Sequence, residues 1–306
     1  MYRTILVPLD GSEVAECVLP YVQALMPADQ KVTIVLLYIV EALDIPFTNP
    51  SFKTQIESEA QSASKKYLDG VRNKLDHNGT IRCEVIIGKP AESIIDYSNK
   101  QKIDLIIMAT HGRSGIDKWI RGSVAEKVIH TSQIPVWLVP AACTPEVDMF
   151  NKGTKITLLV PLDGLDTAGS AIEQAETLTR QLGSNNVEII VIRVCELFSD
   201  SPKYPPHMSM SWEEYANYET KRCLDICTEY VTNIEKKLKE QGFTVRSEVL
   251  TGNVADKIVD YANANSISVI VMSTHGRSGI GRWAFGSVTE KVLAAAKRPI
   301  LLIRYR

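Results

Sequence analysis

The stretch IDLIIMATHGRSGIDKWIRGSVAEKV, residues 103–128, decides the fold of this chain. It begins with an apolar, β-branched run, Ile103–Met108, which predicts a buried strand. A glycine-containing loop follows directly, and Ser123–His130 then carries apolar residues at helical spacing. A buried strand that leads through such a loop into a helix is the repeating unit of parallel α/β sheets.

The same stretch occurs twice. Thr110–Val128 matches Thr274–Val292 at 14 of 19 positions, 164 residues apart. Near the two starts, VPLDG occurs at Val7–Gly11 and again at Val160–Gly164, only 153 residues apart, so the second copy is longer by 11 residues. We place the insertion in the proline-containing segment Leu197–Ser211. The repeat predicts a tandem duplication of one unit.

Length and composition agree with two domains. The 306 residues suit two domains of the commonest size, which we expect at 1–142 and 154–306 with a linker at 143–153. The net charge of −2 offers no basic excess for a phosphate backbone, so we expect no nucleic-acid partner. No apolar run approaches the about 20 residues of a membrane span, and no signal-peptide layout is present. We therefore expect a cytoplasmic protein.

The six cysteines show no metal-site spacing. They lie at Cys17, Cys83, Cys143, Cys195, Cys223 and Cys227. No C-x-x-C pair occurs, and no histidine or further cysteine lies close to Cys223 and Cys227 in the sequence. We interpret all six as reduced packing residues, belonging neither to a disulfide framework nor to a metal site.

Each half contains the elements of one α/β domain. In the first half we predict strands at Thr4–Pro8, Lys31–Tyr38, Ile81–Ile87, Ile103–Met108 and Val136–Val139, with helices after Ser12 and over Ser51–His77, Ala91–Lys100 and Ser123–His130. In the second half we predict strands at Lys155–Val160, Val187–Val194, Thr244–Leu250, Ile267–Met272 and Ile300–Ile303, and a long helix over Trp212–Gln241. The pattern predicts two tandem doubly wound domains, each with a five-stranded parallel sheet flanked by helices.

The repeated loop has features of a phosphate site. Ser123 and Glu126 have the spacing of a capping box, so the pair marks the start of a helix whose free N–H groups attract an anion. Gly122 allows a close backbone approach and a positive φ, and Arg113 adds a fixed charge. The second half repeats the capping pair as Ser287 and Glu290. In the simpler alternative, the glycines only make a turn and the serine only caps the helix.

Two further pairs of residues lie at the same sheet edge, where ligands of doubly wound folds bind. Asp10 and Asp163 each follow a buried strand, and either a ligand contact or capping of the next helix explains them. His111 and His275 have no nucleophile or second base beside them in the sequence. We therefore predict no catalytic residue.

These motifs resemble the universal stress protein family, in its tandem two-domain form. The matching segments are VPLDGS, Tyr38-Ile39-Val40, ATHGRSGIDKWIRGS and Ile134–Val139 in the first half, and VPLDG, Arg193-Val194-Cys195, STHGRSGIGRWAFGS and RPILLI in the second. ATP-binding members have the pattern G-x2-G-x9-G-[ST]. Both copies fit its later part, but Ala109 and Ser273 replace the first glycine, which implies weakened or reshaped binding.

The resemblance implies an adenine-nucleotide site in each half. In the first, Asp10 would contact the ribose, the Ile39 backbone the adenine edge, and Met108, Ala109, Gly112 and Arg113 the ribose and phosphates, with Gly122, Ser123, Val124 and Ala125 holding the phosphates. The second-half counterparts are Asp163, Val194, Met272, Ser273, Gly276, Arg277, Gly286, Ser287, Val288 and Thr289. The implied ligand is ATP with Mg²⁺. The two halves would pair internally through their last strands, and a homodimer and a protein partner are open.

Our first interpretation is an ATP-binding stress-response protein with at most slow hydrolysis, because the loop supplies nothing to orient an attacking water. The alternative is a nucleotide-free interaction protein of the same fold. An ATP-using PP-loop or nucleotidyl-transferase enzyme is disfavoured because neither S-G-G-x-D-S nor H-x-G-H occurs. The absence of G-x-x-x-x-G-K-[ST] and G-x-G-x-x-G likewise disfavours a P-loop NTPase and a dinucleotide-binding Rossmann enzyme.

Overall fold

The computed structural model describes residues 1–27, 31–42, 50–75, 79–110, 122–140, 155–164, 168–196, 209–274 and 286–304. The strands are β1 Thr4–Leu9, β2 Thr33–Glu41, β3 Thr80–Gly88, β4 Leu105–Ala109, β5 Val136–Val139, β6 Ile156–Leu162, β7 Val187–Cys195, β8 Thr244–Thr251, β9 Val269–Thr274 and β10 Ile300–Arg304. The helices are α1 Leu19–Ala24, α2 Pro50–Arg72, α3 Pro90–Lys100, α4 Ser123–Thr131, α5 Ala168–Leu182, α6 Trp212–Glu240, α7 Val254–Ala264 and α8 Ser287–Ala295.

The two halves have the same sheet order. Strands run β3-β2-β1-β4-β5 in the first half and β8-β7-β6-β9-β10 in the second, with every pairing inside a half parallel. The predicted doubly wound α/β fold is therefore confirmed. In each half the order reverses beside the first strand, which places the crevice between β1 and β4 and, in the second half, between β6 and β9.

One antiparallel pairing joins the halves into a single ten-stranded sheet. Strands β5 and β10 lie side by side, with Trp137 opposite Leu301 and Leu138 opposite Ile300. These four side chains are buried. The internal pairing through last strands, implied by the resemblance, is present.

The sheet is buried on both faces because its strands are apolar at successive positions. In β1, Ile5 and Val7 point into one hydrophobic layer and Leu6 into the other. The first layer also holds side chains of α1, α2, α5 and α6, and the second holds side chains of α3, α4, α7 and α8. This two-layer cover is what makes near-continuous apolar strands stable in water.

Several local expectations need adjustment. The segment after Ser12 begins as a 3-10 turn at Ala15–Val18 before α1, although the Ser12 hydroxyl does accept a bond from the Ala15 N–H at 3.1 Å. The insertion segment 197–211 lies almost entirely outside the described residues, as does the expected linker 143–153. Within the described ranges, no helix combines the length and the apolar character needed to cross a membrane.

The interpretation of all six cysteines as reduced and unconnected is wrong. Cys195 at the end of β7 and Cys223 in α6 form a disulfide. The two residues are 28 positions apart in the sequence, and the pairing of β7 with its neighbours and the packing of α6 on the sheet bring them together. Cys17, Cys83 and Cys227 are free thiols, as predicted, and Cys143 lies outside the described residues.

Candidate functional site

A cavity of ≈ 570 Å³ opens at the carboxyl ends of β1, β2 and β4 in the first half. Eight of the ten residues that sequence reasoning assigned to this half line it: Asp10, Ile39, Met108, Ala109, Gly122, Ser123, Val124 and Ala125. The remaining two, Gly112 and Arg113, lie outside the described residues. The predicted residues thus lie together at the predicted edge of the sheet.

The two ends of the glycine loop are tied together at the cavity. The Gly122 N–H donates to the Thr110 carbonyl at 3.1 Å, and the Thr110 N–H donates to the Val139 carbonyl of β5 at 3.0 Å. Gly122 has a φ of −54° and a ψ of 126°, which other residues also adopt. The positive φ that a glycine allows is therefore not used at Gly122, and its lack of a side chain matters only for space.

Helix α4 presents its N-terminus to the cavity. Its first hydrogen bond runs from the Glu126 N–H to the Gly122 carbonyl at 3.0 Å, so the N–H groups of Ser123, Val124 and Ala125 have no partner within the helix. Such groups, together with the helix dipole, attract an anion.

The capping boxes predicted at α4 and α8 are wrong. Each helix begins at the serine itself, Ser123 or Ser287, with the preceding glycine, Gly122 or Gly286, as N-cap and no side-chain cap bond. The serine hydroxyl is thus one position too late to accept from the third N–H of the helix. Both serines are exposed at the helix start.

Asp10 shapes the entrance of the cavity. Its Oδ1 accepts from the Ser12 N–H at 3.0 Å and from the Ser12 hydroxyl at 2.6 Å, while Gly11 between them has a φ of 85°. The Ser12 hydroxyl in turn caps the next turn through Ala15. Asp10 therefore does hold the start of the following turn, and its carboxylate also lines the cavity.

The apolar side of the cavity includes residues that sequence reasoning missed. Ala60 and Ser64 of α2 line it together with Tyr38 and Ile94. The available signal was a pair of small residues four positions apart, because such residues share one helix face. The ring of Tyr67, next on that face, meets Tyr38 edge-on at 6.0 Å. Burial and the negative charges of Glu16 and Asp10 raise the pKa of Tyr67, so the phenol is neutral.

The second half places its predicted residues in the same order along the sheet. Asp163 follows β6, Val194 lies in β7, and Met272 and Ser273 lie in β9. Gly286 is the N-cap of α8, which begins with Ser287, Val288 and Thr289. Asp163 and Ser287 are exposed, whereas Met272 and Thr289 are buried. Gly276 and Arg277 lie outside the described residues.

Helices α2 and α6 correspond to each other when their buried residues are aligned. Residues that pack on the same hydrophobic layer recur 163 positions later: Tyr67 and Tyr230, Leu68 and Val231, Leu75 and Leu238. Leu9 lies opposite Tyr38 in the first half. Its counterpart Leu162 lies opposite Arg193 in the second half. Arg193 therefore occupies the position of Tyr38. Only the buried positions of α2 and α6 agree, so the two long helices show little overall similarity in sequence.

Arg193 changes the second site. Its guanidinium lies over the Tyr230 ring, 4.8 Å from the centroid, where the first half has the pair Tyr38 and Tyr67. It also lies against Gly164, where a Cβ would be only 2.4 Å from Nη2. Gly164 has a φ of 79°. A cation therefore lies at the second-half position that corresponds to Tyr38 of the first half.

The wall of the second site also differs. At the offset of 163 residues, Cys223 and Cys227 replace Ala60 and Ser64, and Cys195 replaces Val40 through the strand pairing. All three first-half counterparts line the cavity. The three cysteine sulfurs lie within 4.8 Å of one another. The two halves thus share a fold but present different chemistry at equivalent places.

The comparisons with known proteins agree with this architecture. The model of the universal stress protein family matches residues 1–140 and again 157–304. A universal stress protein of Methanocaldococcus jannaschii is 27% identical over 155 residues, which is 45% of this chain and 95% of the relative. One from Mycolicibacterium smegmatis is 21% identical over 279 residues, covering 89% of this chain and 87% of the relative.

A solved structure shares the fold over nearly the whole length. The crystal structure of a universal stress protein from Archaeoglobus fulgidus superposes with a TM-score of 0.71 and 20% identity, covering 98% of each chain. With two family matches that together span most of the 306 residues, each on one doubly wound half, this chain belongs to the universal stress protein family.

Proposed function

We propose that the first half of this protein binds ATP in the cavity at the switch point, and that the bound state is read by a protein partner in a stress response. The observation that carries this proposal is the junction of an apolar pocket with a free helix N-terminus. The pocket is lined by Ile39, Ile94 and Met108, and the N–H groups of Ser123 and Val124 lie at its other side.

The residues present fit a nucleotide. A volume of ≈ 570 Å³ lies within the range of about 300–1,000 Å³ that is usual for small-ligand sites. The apolar wall suits a base, the Asp10 carboxylate suits a sugar hydroxyl, and the start of α4 suits phosphates. Asp10 and Glu41 are the acidic groups among the described lining residues. Mg²⁺ would therefore be held mainly by the phosphates.

We propose binding with at most slow hydrolysis. The described lining includes no histidine, lysine or arginine, and Asp10 is engaged by Ser12. Phosphoryl transfer needs a group that orients the attacking water and charges that stabilise the leaving phosphate. A site that positions without activating suits a sensor of nucleotide level more than a catalyst. Cytoplasmic location and homodimer formation remain predictions.

The test combines bound-nucleotide identification with titration. The purified chain is denatured and the released small molecules are identified, and the nucleotide-free protein is then titrated with Mg-ATP by calorimetry. We expect ATP in the released fraction, and we expect Gly122→Leu to weaken binding by roughly tenfold or more, about 1.4 kcal/mol. The backbone angles at Gly122 tolerate a leucine, so this variant tests space in the cavity and not backbone strain.

Gly286→Leu is the matched control, because Gly286 occupies the same place before α8 with a φ of −64°. We expect it to leave binding in the first half unchanged. Absence of released nucleotide together with no change in melting temperature on adding Mg-ATP contradicts the proposal. That result favours the alternative, a nucleotide-free interaction protein, for which the supporting observation is that the cavity lining has Ala109 in place of the family's glycine.

A further inference from the structure

We propose that Cys195, Cys223 and Cys227 form a binding site for a thiophilic metal ion of the Zn²⁺ class, which is open when the thiols are reduced. The three sulfur atoms lie within 4.8 Å of one another. Three thiolates around one Zn²⁺ at about 2.3 Å leave the fourth tetrahedral position for water or a small anion. This proposal does not depend on nucleotide binding in the first half.

The third sulfur is the observation that a disulfide alone does not explain. Cys195 and Cys223 suffice for the bond, yet the Cys227 sulfur lies 4.0 Å from that of Cys223. Cys195 and Cys227 are almost fully buried, and Cys223 is partly exposed. An ion thus has a protected set of donors with access from the Cys223 side.

The donors stand on rigid elements. Cys195 is the last residue of β7 and lies opposite Thr251 of β8. The Cys195 carbonyl accepts a hydrogen bond from the Gly252 N–H at 3.0 Å. Cys223 and Cys227 are one helical turn apart on the same face of α6. The sheet and the helix fix the backbone positions of the donors, so rotation of the Cys195 and Cys223 side chains after reduction is enough to make room for the ion.

Arg193 supplies the charge that the site needs. Three thiolates and one Zn²⁺ carry a net charge of −1, which is costly to bury without a counter-charge. The Arg193 guanidinium acts on the Cys227 sulfur through its positive charge, which offsets this cost. The first half, with Tyr38 in place of Arg193 and no sulfur at the matching positions, has neither feature.

The disulfide gives the site an off state. Its formation removes two protons and two electrons from Cys195 and Cys223, and a peroxide accepts them and is reduced to water. One S–S bond forms and the peroxide O–O bond breaks. Only the Cys227 thiol then remains, which cannot hold the ion alone. Reduction by a dithiol reverses the step.

The experiment titrates the reduced full-length chain with Zn²⁺ and follows binding by calorimetry and by metal analysis after dialysis. We expect one Zn²⁺ per chain. We expect Cys227→Ser to weaken binding by at least tenfold. Serine is acceptable at this position because the matching residue of the first half is Ser64. We expect peroxide treatment to abolish binding and a reductant to restore it.

Cys83→Ser is the control for general thiol effects. Cys83 is a buried free cysteine in β3, remote in sequence from the cluster. We expect it to bind Zn²⁺ as the unmodified chain does. The proposal is overturned if the reduced chain retains no Zn²⁺, or if Cys227→Ser and Cys223→Ala both bind it with unchanged affinity.

Discussion

Gln181 and Tyr2 bind each other across the boundary between the two halves. The side-chain oxygen of Gln181 accepts from the Tyr2 N–H at 2.9 Å, and its amide nitrogen donates to the Tyr2 carbonyl at 3.2 Å. The same nitrogen donates to the Leu25 carbonyl at 3.0 Å. Gln181 is 1% exposed. A polar side chain so deeply buried is tolerated because it satisfies backbone groups of the other half.

Replacing Gln181 should therefore destabilise the chain strongly. Gln181→Leu leaves the Tyr2 N–H and carbonyl buried without a partner, at a cost of about 1–3 kcal/mol for each group. We expect the free energy of unfolding, measured in urea, to fall by roughly 3 kcal/mol. Gln55→Leu, on the exposed face of α2, should change it by less than about 0.5 kcal/mol. Equal effects of the two substitutions contradict the assigned role of Gln181.

A second prediction concerns pH and the start of α6. The Ser211 N–H and hydroxyl both donate to Glu214 Oε2, at 2.9 and 2.8 Å. These bonds hold the pKa of the Glu214 carboxyl below its ordinary value of 4.5. A lowered folded-state pKa gives stability that is present above the unfolded value and is lost as the pH falls through the folded one.

We accordingly expect Glu214→Gln to lower stability at pH 7, because a charged acceptor makes stronger bonds than an amide. Below the lowered pKa the two proteins should become equally stable. Glu213→Gln is the control, since Glu213 lies in the same first turn and shares the helix-dipole effect without the capping box. Urea midpoints at pH 7 and at a pH below the lowered pKa of Glu214 measure the difference. A gap that persists at the lower pH disproves this account of Glu214.

The sequence predicts the sheet well because the sheet depends on local patterns. Apolar runs such as Ile103–Met108 have few alternatives to a buried parallel strand, and the repeat places five of them in each half. The first-half site follows from the same logic, since Asp10 and Gly122 come directly after strands or before a helix. Features that depend on individual backbone angles are harder to predict. For example, the ψ of Gly122 moves the start of α4 by one residue.

The chemistry of the second half was not predictable in this way. Cys195 is separated from Cys223 by 28 residues, and their contact depends on how α6 packs on the sheet. The buried positions of α6 show which face of the helix packs on the sheet. They align with those of α2 at a sequence offset of 163 residues, whereas the repeated loops align at an offset of 164. Without knowing which face of α6 packs on the sheet, one cannot predict that Cys227 lies near Cys195.

A third prediction addresses Ala109, which stands where the family pattern has a glycine. Ala109 lines the cavity, so we expect Ala109→Gly to let the nucleotide approach the end of β4 more closely. We expect the affinity for Mg-ATP to rise severalfold, while stability falls by about 0.5–1 kcal/mol because glycine weakens a strand. Ser273→Gly is the matched control and should leave ATP affinity unchanged. Unchanged or weaker binding to Ala109→Gly places the nucleotide elsewhere.

The last prediction concerns a variant in which the second half receives the residues of the first half. Four substitutions, Arg193→Tyr, Cys195→Val, Cys223→Ala and Cys227→Ser, give the second site the wall residues of the first. Each new residue already occupies the matching position in the first half, so we expect the variant to fold. Removal of the guanidinium frees the space over Gly164, which Arg193 fills now.

We expect this variant to bind no Zn²⁺ and to bind two ATP per chain instead of one, as measured by calorimetry. Adding Gly286→Leu should remove the second equivalent, because a side chain there enters the new site next to α8. The counterpart Gly122→Leu should remove the first equivalent. A variant that binds one ATP regardless of Gly286 locates the difference between the halves beyond these four residues, in the loops that connect strand and helix.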